Sequence, residues 1–502
     1  MRRYYYSFGM IVVWSLFFGV LPAQAQQQSK GESTRTTPIA AYHSPLAFAA
    51  NNEVLDDENG SNQSLAPDTR SLTGAEQLSI AGPEISRSYW QSHFDVSSTG
   101  DSNPLAVTNS TGWTTYTSFL GAVDLHDTSG ISDLTLSYLG GGTVSSASDI
   151  GNTIIQELNL QEKLRWRRTM ISFLDHLNYL PETAFGIPAL GSLGGVGGLA
   201  VPGVGGANGL ALPGGAPVLE PGLSPDSSIL TTNSQRIDNS FLAQLDSNTT
   251  ERSSITLIGG YSLLHYFNSS FINYNDAILQ AGYNHQMSRR NTLAVLYRFS
   301  AYRYSGNIES IYDNMLQVSF ARRLTGRSTF QFAAGPELVV LKTPASNVAA
   351  VASSTTSSTQ LYWSLTASEI YQLRRGSLRL SYSHGVTGGS GVLAGAISDT
   401  VTGSASRQLS RALAVNVLGG FARNQGLSIP GGTSSNQAYN YSFGGFSLSR
   451  TLGRWMDLSW SYQIQYQNSN SPVCTGSICG ANFIRHLISA GVAWHGHPVA
   501  LQ

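Results

Sequence analysis

The chain has 502 residues, of which only 12% are charged and 10% aromatic, with 52 Gly, 23 Tyr and 8 Trp. That charge content is about half the usual soluble share of roughly 25%, and a formal net charge of −1 offers nothing to attract nucleic acid. No Pro/Gly/Ser-rich linkers divide the chain into compact soluble units, and a mean hydropathy near zero leaves room for an alternating pattern that averages out.

The N-terminus reads as a secretory leader. Arg2 and Arg3 precede an apolar run over residues 10–21, and Ala23-Gln24-Ala25 supplies a small-x-small cleavage site. A run of about 12 residues is too short to span a bilayer comfortably. Residues 1–25 are therefore expected to be a signal peptide for the Sec route, cut between Ala25 and Gln26. No Cys follows the site, so a lipoprotein is not expected, and no later apolar segment reaches helical spanning length. Residues 26–85 are polar and without period, with Asp56-Asp57-Glu58 among them, and read as a mostly disordered periplasmic segment.

From there to the C-terminus a single unit repeats. Residues 457–467 show it most cleanly: Leu458, Trp460, Tyr462, Ile464 and Tyr466 share one face, while Asp457, Ser459, Ser461, Gln463, Gln465 and Gln467 share the other. Many such runs reach the roughly 9–11 residues that a tilted strand needs to cross a bilayer. In chain order the predicted strands are 88–97, 114–125, 131–138, 152–166, 168–180, 240–248, 253–265, 271–286, 291–304, 311–322, 328–341, 360–373, 376–384, 399–409, 412–422, 438–448, 455–467 and 483–494. That is about 18, with 16 as the alternative count. Short turns such as 126–130, 287–290, 374–375 and 451–454 alternate with longer loops such as 98–112, 342–359, 385–398 and the Gly-rich 181–239. The expected fold is an all-β, transmembrane, antiparallel up-and-down β-barrel over residues 86–502, with both termini periplasmic and the long loops extracellular.

This combination resembles the bacterial outer-membrane porin-like β-barrels, in particular a poorly characterised branch with a Gly-rich surface loop. The resemblance covers about 400 residues. It implies a Gram-negative outer-membrane location, contact with outer-membrane lipid and lipopolysaccharide, and insertion by the outer-membrane assembly machinery. Such barrels end on an aromatic residue. Here Ile488, Ala490, Val492 and Trp494 carry the last alternation, and residues 495–502 follow.

Charges on the polar strand faces are the candidate pore lining: Glu157, Lys163, Arg165, Arg298, Arg379 and Asp457. A charge facing lipid near midplane costs roughly 2–4 kcal/mol for Arg or Lys, so these are expected to point inward. Both signs occur, and no strong ion preference follows. Tyr261, Tyr266, Tyr297, Tyr302, Tyr304, Tyr362, Trp363, Tyr371, Trp455 and Trp494 lie near strand ends, where rings form interfacial girdles; a sugar-stacking track is the alternative. The 181–239 loop, whose segment 184–225 is rich in Gly, Leu, Val and Pro and nearly uncharged, reads as a surface loop or as one folded inward to narrow the pore.

Cys474 and Cys479 sit in the loop 468–481, and after export an even pair at this spacing is expected to form one disulfide. The loop holds no His or Asp to complete a metal site. Catalytic signatures are missing: Gly388-Gly389-Ser390-Gly391 is followed by Val392 and so fails G-x-S-x-G, and no H-E-x-x-H occurs. His265, His285 and His384 lie near strand ends without a nucleophile motif, and His495-Gly496-His497 is a poor metal site. No enzyme, cofactor or metal is expected. The sequence points to a channel for small hydrophilic solutes, or alternatively to an adhesin, receptor or structural barrel with long surface loops and a plugged pore.

Overall fold

The computed structural model describes residues 88–104, 112–146, 152–180, 229, 235–268, 271–307, 309–343, 356–389, 391–427, 437–470 and 482–501. The leader, residues 26–85, most of the Gly-rich loop and both cysteines lie outside them.

Eighteen long strands follow one another: β1 (Tyr89–Asp101), β2 (Thr114–Ser129), β3 (Ser132–Ser145), β4 (Thr153–Arg165), β5 (Thr169–Leu180), β6 (Arg236–Asn248), β7 (Ser253–Tyr266), β8 (Tyr274–Ser288), β9 (Asn291–Tyr304), β10 (Ser310–Thr325), β11 (Ser328–Thr343), β12 (Thr356–Leu373), β13 (Gly376–Thr387), β14 (Ala396–Gln408), β15 (Leu413–Gly426), β16 (Ala438–Leu452), β17 (Met456–Ser469) and β18 (Phe483–His495). Each pairs antiparallel with the next, and β1 pairs with both β2 and β18, from His93↔His495 to Asp101↔Leu487. The sheet is thus a closed barrel without a free edge. All 18 predicted strands are present, most of them longer than expected.

The tail is part of the wall. Gly496 N donates to Ser92 O at 2.7 Å, and Val499–Ala500 pairs with Tyr89 and Trp90. Residues 496–501 extend the last strand instead of hanging free.

Period-two alternation puts the polar set inside. In β17, Asp457, Ser459, Gln463, Gln465 and Gln467 are buried while Leu458, Trp460, Ile464 and Tyr466 are exposed. In β18, Arg485, Ser489 and His495 are buried, whereas Ile484, Ile488, Val492 and Trp494 face out. The same inversion recurs around the ring: Leu361 is 71% exposed and Leu279 63%, yet Asp95, Asp313 and Glu337 have no exposed surface. A protein folded for water does the opposite.

Connections at one end of the barrel have at most four residues; at the other they have at least five. One irregularity is functionally placed. Pro336 has no N–H to give, and the β10–β11 ladder skips between Met315↔Glu337 and Val318↔Ala334. Beside it, a Cβ on Gly335 would lie 1.8 Å from Leu316 O. With no side chain there, Gln317 of β10 reaches over β11 to Ser364 of β12, Nε2 to Oγ, at 2.9 Å.

Candidate functional site: the inner wall and its inturned loop

Inward positions of β6–β11, in the half nearer the long connections, bring charged and aromatic side chains together. Arg298 Nη2 lies 3.4 Å from Asp313 Oδ2 and 3.6 Å from Glu337 Oε1, all three buried. Arg236 Nη2 meets Asp238 Oδ2 at 3.1 Å, its guanidinium 6.0 Å from the Tyr266 ring centre. Across the lumen, Arg485 Nε bonds both carboxylate oxygens of Asp101 at 3.0 Å. Each of these inner guanidiniums therefore has a carboxylate beside it, and the paired charges brace the wall. By contrast, neither carboxylate oxygen of Asp95 or of Asp276 accepts a hydrogen bond among the described residues.

Above this cluster the connection 388–395, between β13 and β14, turns into the barrel. β13 leaves β12 after His384↔Leu365, and Val386 N donates to Glu337 Oε1 at 3.3 Å. The loop then seats among aromatics: Ile272 N donates to Gly391 O at 2.7 Å, and Tyr304 Oη to Gly388 O at 3.2 Å. Val386, Tyr266, Tyr274, Tyr302, Tyr304 and Ile311 form one buried apolar cluster with Val392 packed against it. Leu393 packs with Ile229, Tyr439 and Ala396. Glycine makes the path possible. Gly391 has φ +73°, and a Cβ there would sit 2.2 Å from the Tyr266 ring; Gly395 has φ +80°, with Ile311 Cδ1 2.3 Å from its would-be Cβ.

The sequence-predicted residues divide by depth. Glu157, Arg298 and Asp457 are buried on the inner face, and Lys163 and Arg379 are half-buried there. Arg165 occupies the last inward position before a short turn, exposed and 3.3 Å from Asp133. Arg298 and Asp457 join networks, while Glu157 accepts a bond from Asn159 Nδ2 (2.8 Å). The aromatic set also splits. Tyr261, Tyr297, Trp363, Tyr371, Trp455 and Trp494 are exposed, as a girdle requires, but Tyr266, Tyr302 and Tyr304 are buried inward under the loop, with Tyr362 packed against them. Sequence reasoning does not find the inturned loop or the role of Gly335; the closely spaced Gly389, Gly391 and Gly395, all at positive φ, are the signal that could have marked the loop.

Nearer the short turns, four inward side chains from β1, β2, β17 and β18 stand in a row. His93 Nε2 is 2.7 Å from Asp124 Oδ2, the two histidine Nδ1 atoms are 2.7 Å apart, and His495 Nε2 is 2.5 Å from Asp457 Oδ2. His497, the other half of the His-Gly-His pair, is exposed against Trp455, so the two do not form a metal site together. Ser253 Oγ and His285 Nδ1 are 2.9 Å apart, but no described residue orients His285 from Nε2. Among the described residues no group of three His, Cys, Asp or Glu could hold a metal ion.

No family model matches the sequence, and no curated protein is similar to it. Solved structures similar to it in fold are outer-membrane barrels. Acinetobacter baumannii OccAB3 is 8% identical, with 82% of this chain and 100% of that one covered, at a TM-score of 0.40. Pseudomonas aeruginosa OccK2 (OpdF) in complex with glucuronate is 11% identical, with 83% and 98% covered, at 0.38. A BenF-like porin from Pseudomonas fluorescens Pf-5 is 10% identical, with 82% and 99% covered, at 0.37. Likeness at that level carries no residue role or substrate over to this chain, whose barrel rests on the pairing of its own strands.

Proposed function

We propose that the protein is a porin-like channel of the Gram-negative outer membrane, passing small hydrophilic solutes by diffusion. One observation carries the reading: the closed wall is apolar outside and polar inside. An outer surface of exposed Leu, Ile, Val and aromatic residues is favourable in hydrocarbon and not in water. The inner carboxylates of Asp95 and Asp276, near Ser97 and the Ala301 N–H but with no well-aligned hydrogen bond to either, call for water. Glu157, Lys163, Arg298, Arg379 and Asp457 line the solute path, Arg165 marks its short-turn mouth, and the loop 388–395 narrows it from the other side.

In this reading residues 1–25 direct Sec export and are removed after Ala25, the assembly machinery inserts the barrel, and the long connections face outward among lipopolysaccharide. Both chain ends then lie on the periplasmic side.

The burial of Asp313 and Glu337 beneath the loop favours a second reading, a plugged barrel whose long loops serve as receptor or adhesin. Current through planar bilayers separates the two. Discrete steps after insertion support the channel; inserted, heat-modifiable protein without steps supports the plug.

A further inference from the structure

The two ends of the barrel differ in charge as well as in the length of their connections. The eight short connections comprise 22 residues, of which 10 are Arg and only Glu251 is acidic. The sequence of the nine connections at the opposite end contains no Lys or Arg at all. Six of the arginines come in pairs on every second short turn, Arg167-Arg168, Arg289-Arg290 and Arg374-Arg375, with single arginines on turns between and after them, and all six are exposed. They interleave with exposed apolar residues at the same turns: Trp166 precedes the first pair, Leu373 the third, and Trp455 follows Arg454.

From this crown we infer a binding surface for anionic phospholipid headgroups in the leaflet that the short turns face. The inference rests on the membrane-barrel reading above. A guanidinium fork matches phosphate oxygens with two parallel hydrogen bonds, and clusters of basic residues at a bilayer surface bind anionic lipid electrostatically. The interleaved Trp and Leu choose this occupant over a soluble polyanion. They place the arginines at the boundary between apolar and aqueous phases, where lipid phosphates lie and where an acidic protein would gain nothing from exposed Leu. The absence of Lys and Arg from the connections at the other end makes the preference one-sided.

The test uses the full mature chain, extracted from bilayers of equal phosphatidylglycerol and phosphatidylcholine, with retained lipids counted by native mass spectrometry. The wild type is expected to keep severalfold more phosphatidylglycerol, less so as salt rises. Replacing the six paired arginines together (Arg167→Gln, Arg168→Gln, Arg289→Gln, Arg290→Gln, Arg374→Gln, Arg375→Gln) should bring the ratio near one. The same six as Arg→Lys should keep a preference, which covers the case in which the glutamine variant does not fold. Arg303→Gln with Arg423→Gln, on exposed strand positions at the opposite end, should leave the ratio unchanged. Equal retention of both lipids by inserted wild type, or an undiminished preference in the glutamine variant, overturns the inference. Failure of the wild type to enter bilayers is a different result and removes the membrane reading itself.

Discussion

His93 and His495 are 402 residues apart in sequence and meet Nδ1 to Nδ1 at 2.7 Å, at the place where the first and last strands close the barrel. Asp124 and Asp457 cap the pair from the flanking strands. The seam is thus bonded by side chains as well as by its ladder.

Breaking that row should weaken closure. His495→Ala takes one partner from His93 and one from Asp457, and a buried polar group that loses a partner costs about 1–3 kcal/mol. His93→Ala should cost a similar amount, and the double variant clearly less than the sum, because both remove the same network. Urea unfolding from lipid vesicles measures all three; strict additivity would show that the two rings act independently.

The inturned loop gives a second outcome. Gly391→Val puts a branched side chain at φ +73° and against the Tyr266 ring; a non-Gly residue in that region costs of order 1–3 kcal/mol before any clash. The loop should leave its seat while the ladder pairing of the strands keeps the barrel. Single-channel conductance should rise, with heat-modifiable gel mobility retained. Unchanged conductance would mean that the loop does not restrict the path.

Much of this is legible in the sequence, and what is not has physical reasons. Every strand announces itself, because a wall with lipid on one side and water on the other imposes period two along its whole length. The parity that assigns Arg298 inward also assigns Tyr302 and Tyr304 inward, since all three are even-numbered on β9. Proximity to a strand end suggests a girdle instead; parity outranks position. The loop 388–395 is only eight residues, and its seat is made by Tyr266, Tyr274 and Tyr304 from strands about a hundred residues earlier, which no local pattern reveals. His495 pairs with His93 only through the closure register, a global property of the ring.

Glu309, in the connection between β9 and β10, is buried, and burial pushes its carboxyl up to about 7. An acid raised in the folded state favours the protonated form. Its stabilising effect is fully present below its unfolded value and is lost as pH climbs toward 7. Thermal stability should therefore fall between about pH 4.5 and 7, and Glu309→Gln should flatten that slope. A parallel slope in the variant would remove Glu309 as the cause.

Cys474 and Cys479 are expected to be bridged in the exported protein. A membrane-impermeant thiol reagent on intact cells should then label the protein only after reduction. Labelling without reductant would show free thiols.

Facing is the most direct test of the whole account. Tyr462 and Gln463 are adjacent in β17, the first on the outer face beside Phe446 and His486, the second buried on the inner face. Tyr462→Arg should destabilise folding into bilayers by roughly 2–4 kcal/mol if it lies near midplane. Gln463→Arg should leave folding nearly unchanged and alter conductance or ion selectivity. Equal destabilisation by the two, measured by urea titration in the same vesicles, would mean that both faces are packed against protein and would contradict a barrel with its apolar side in lipid and its polar side around a channel.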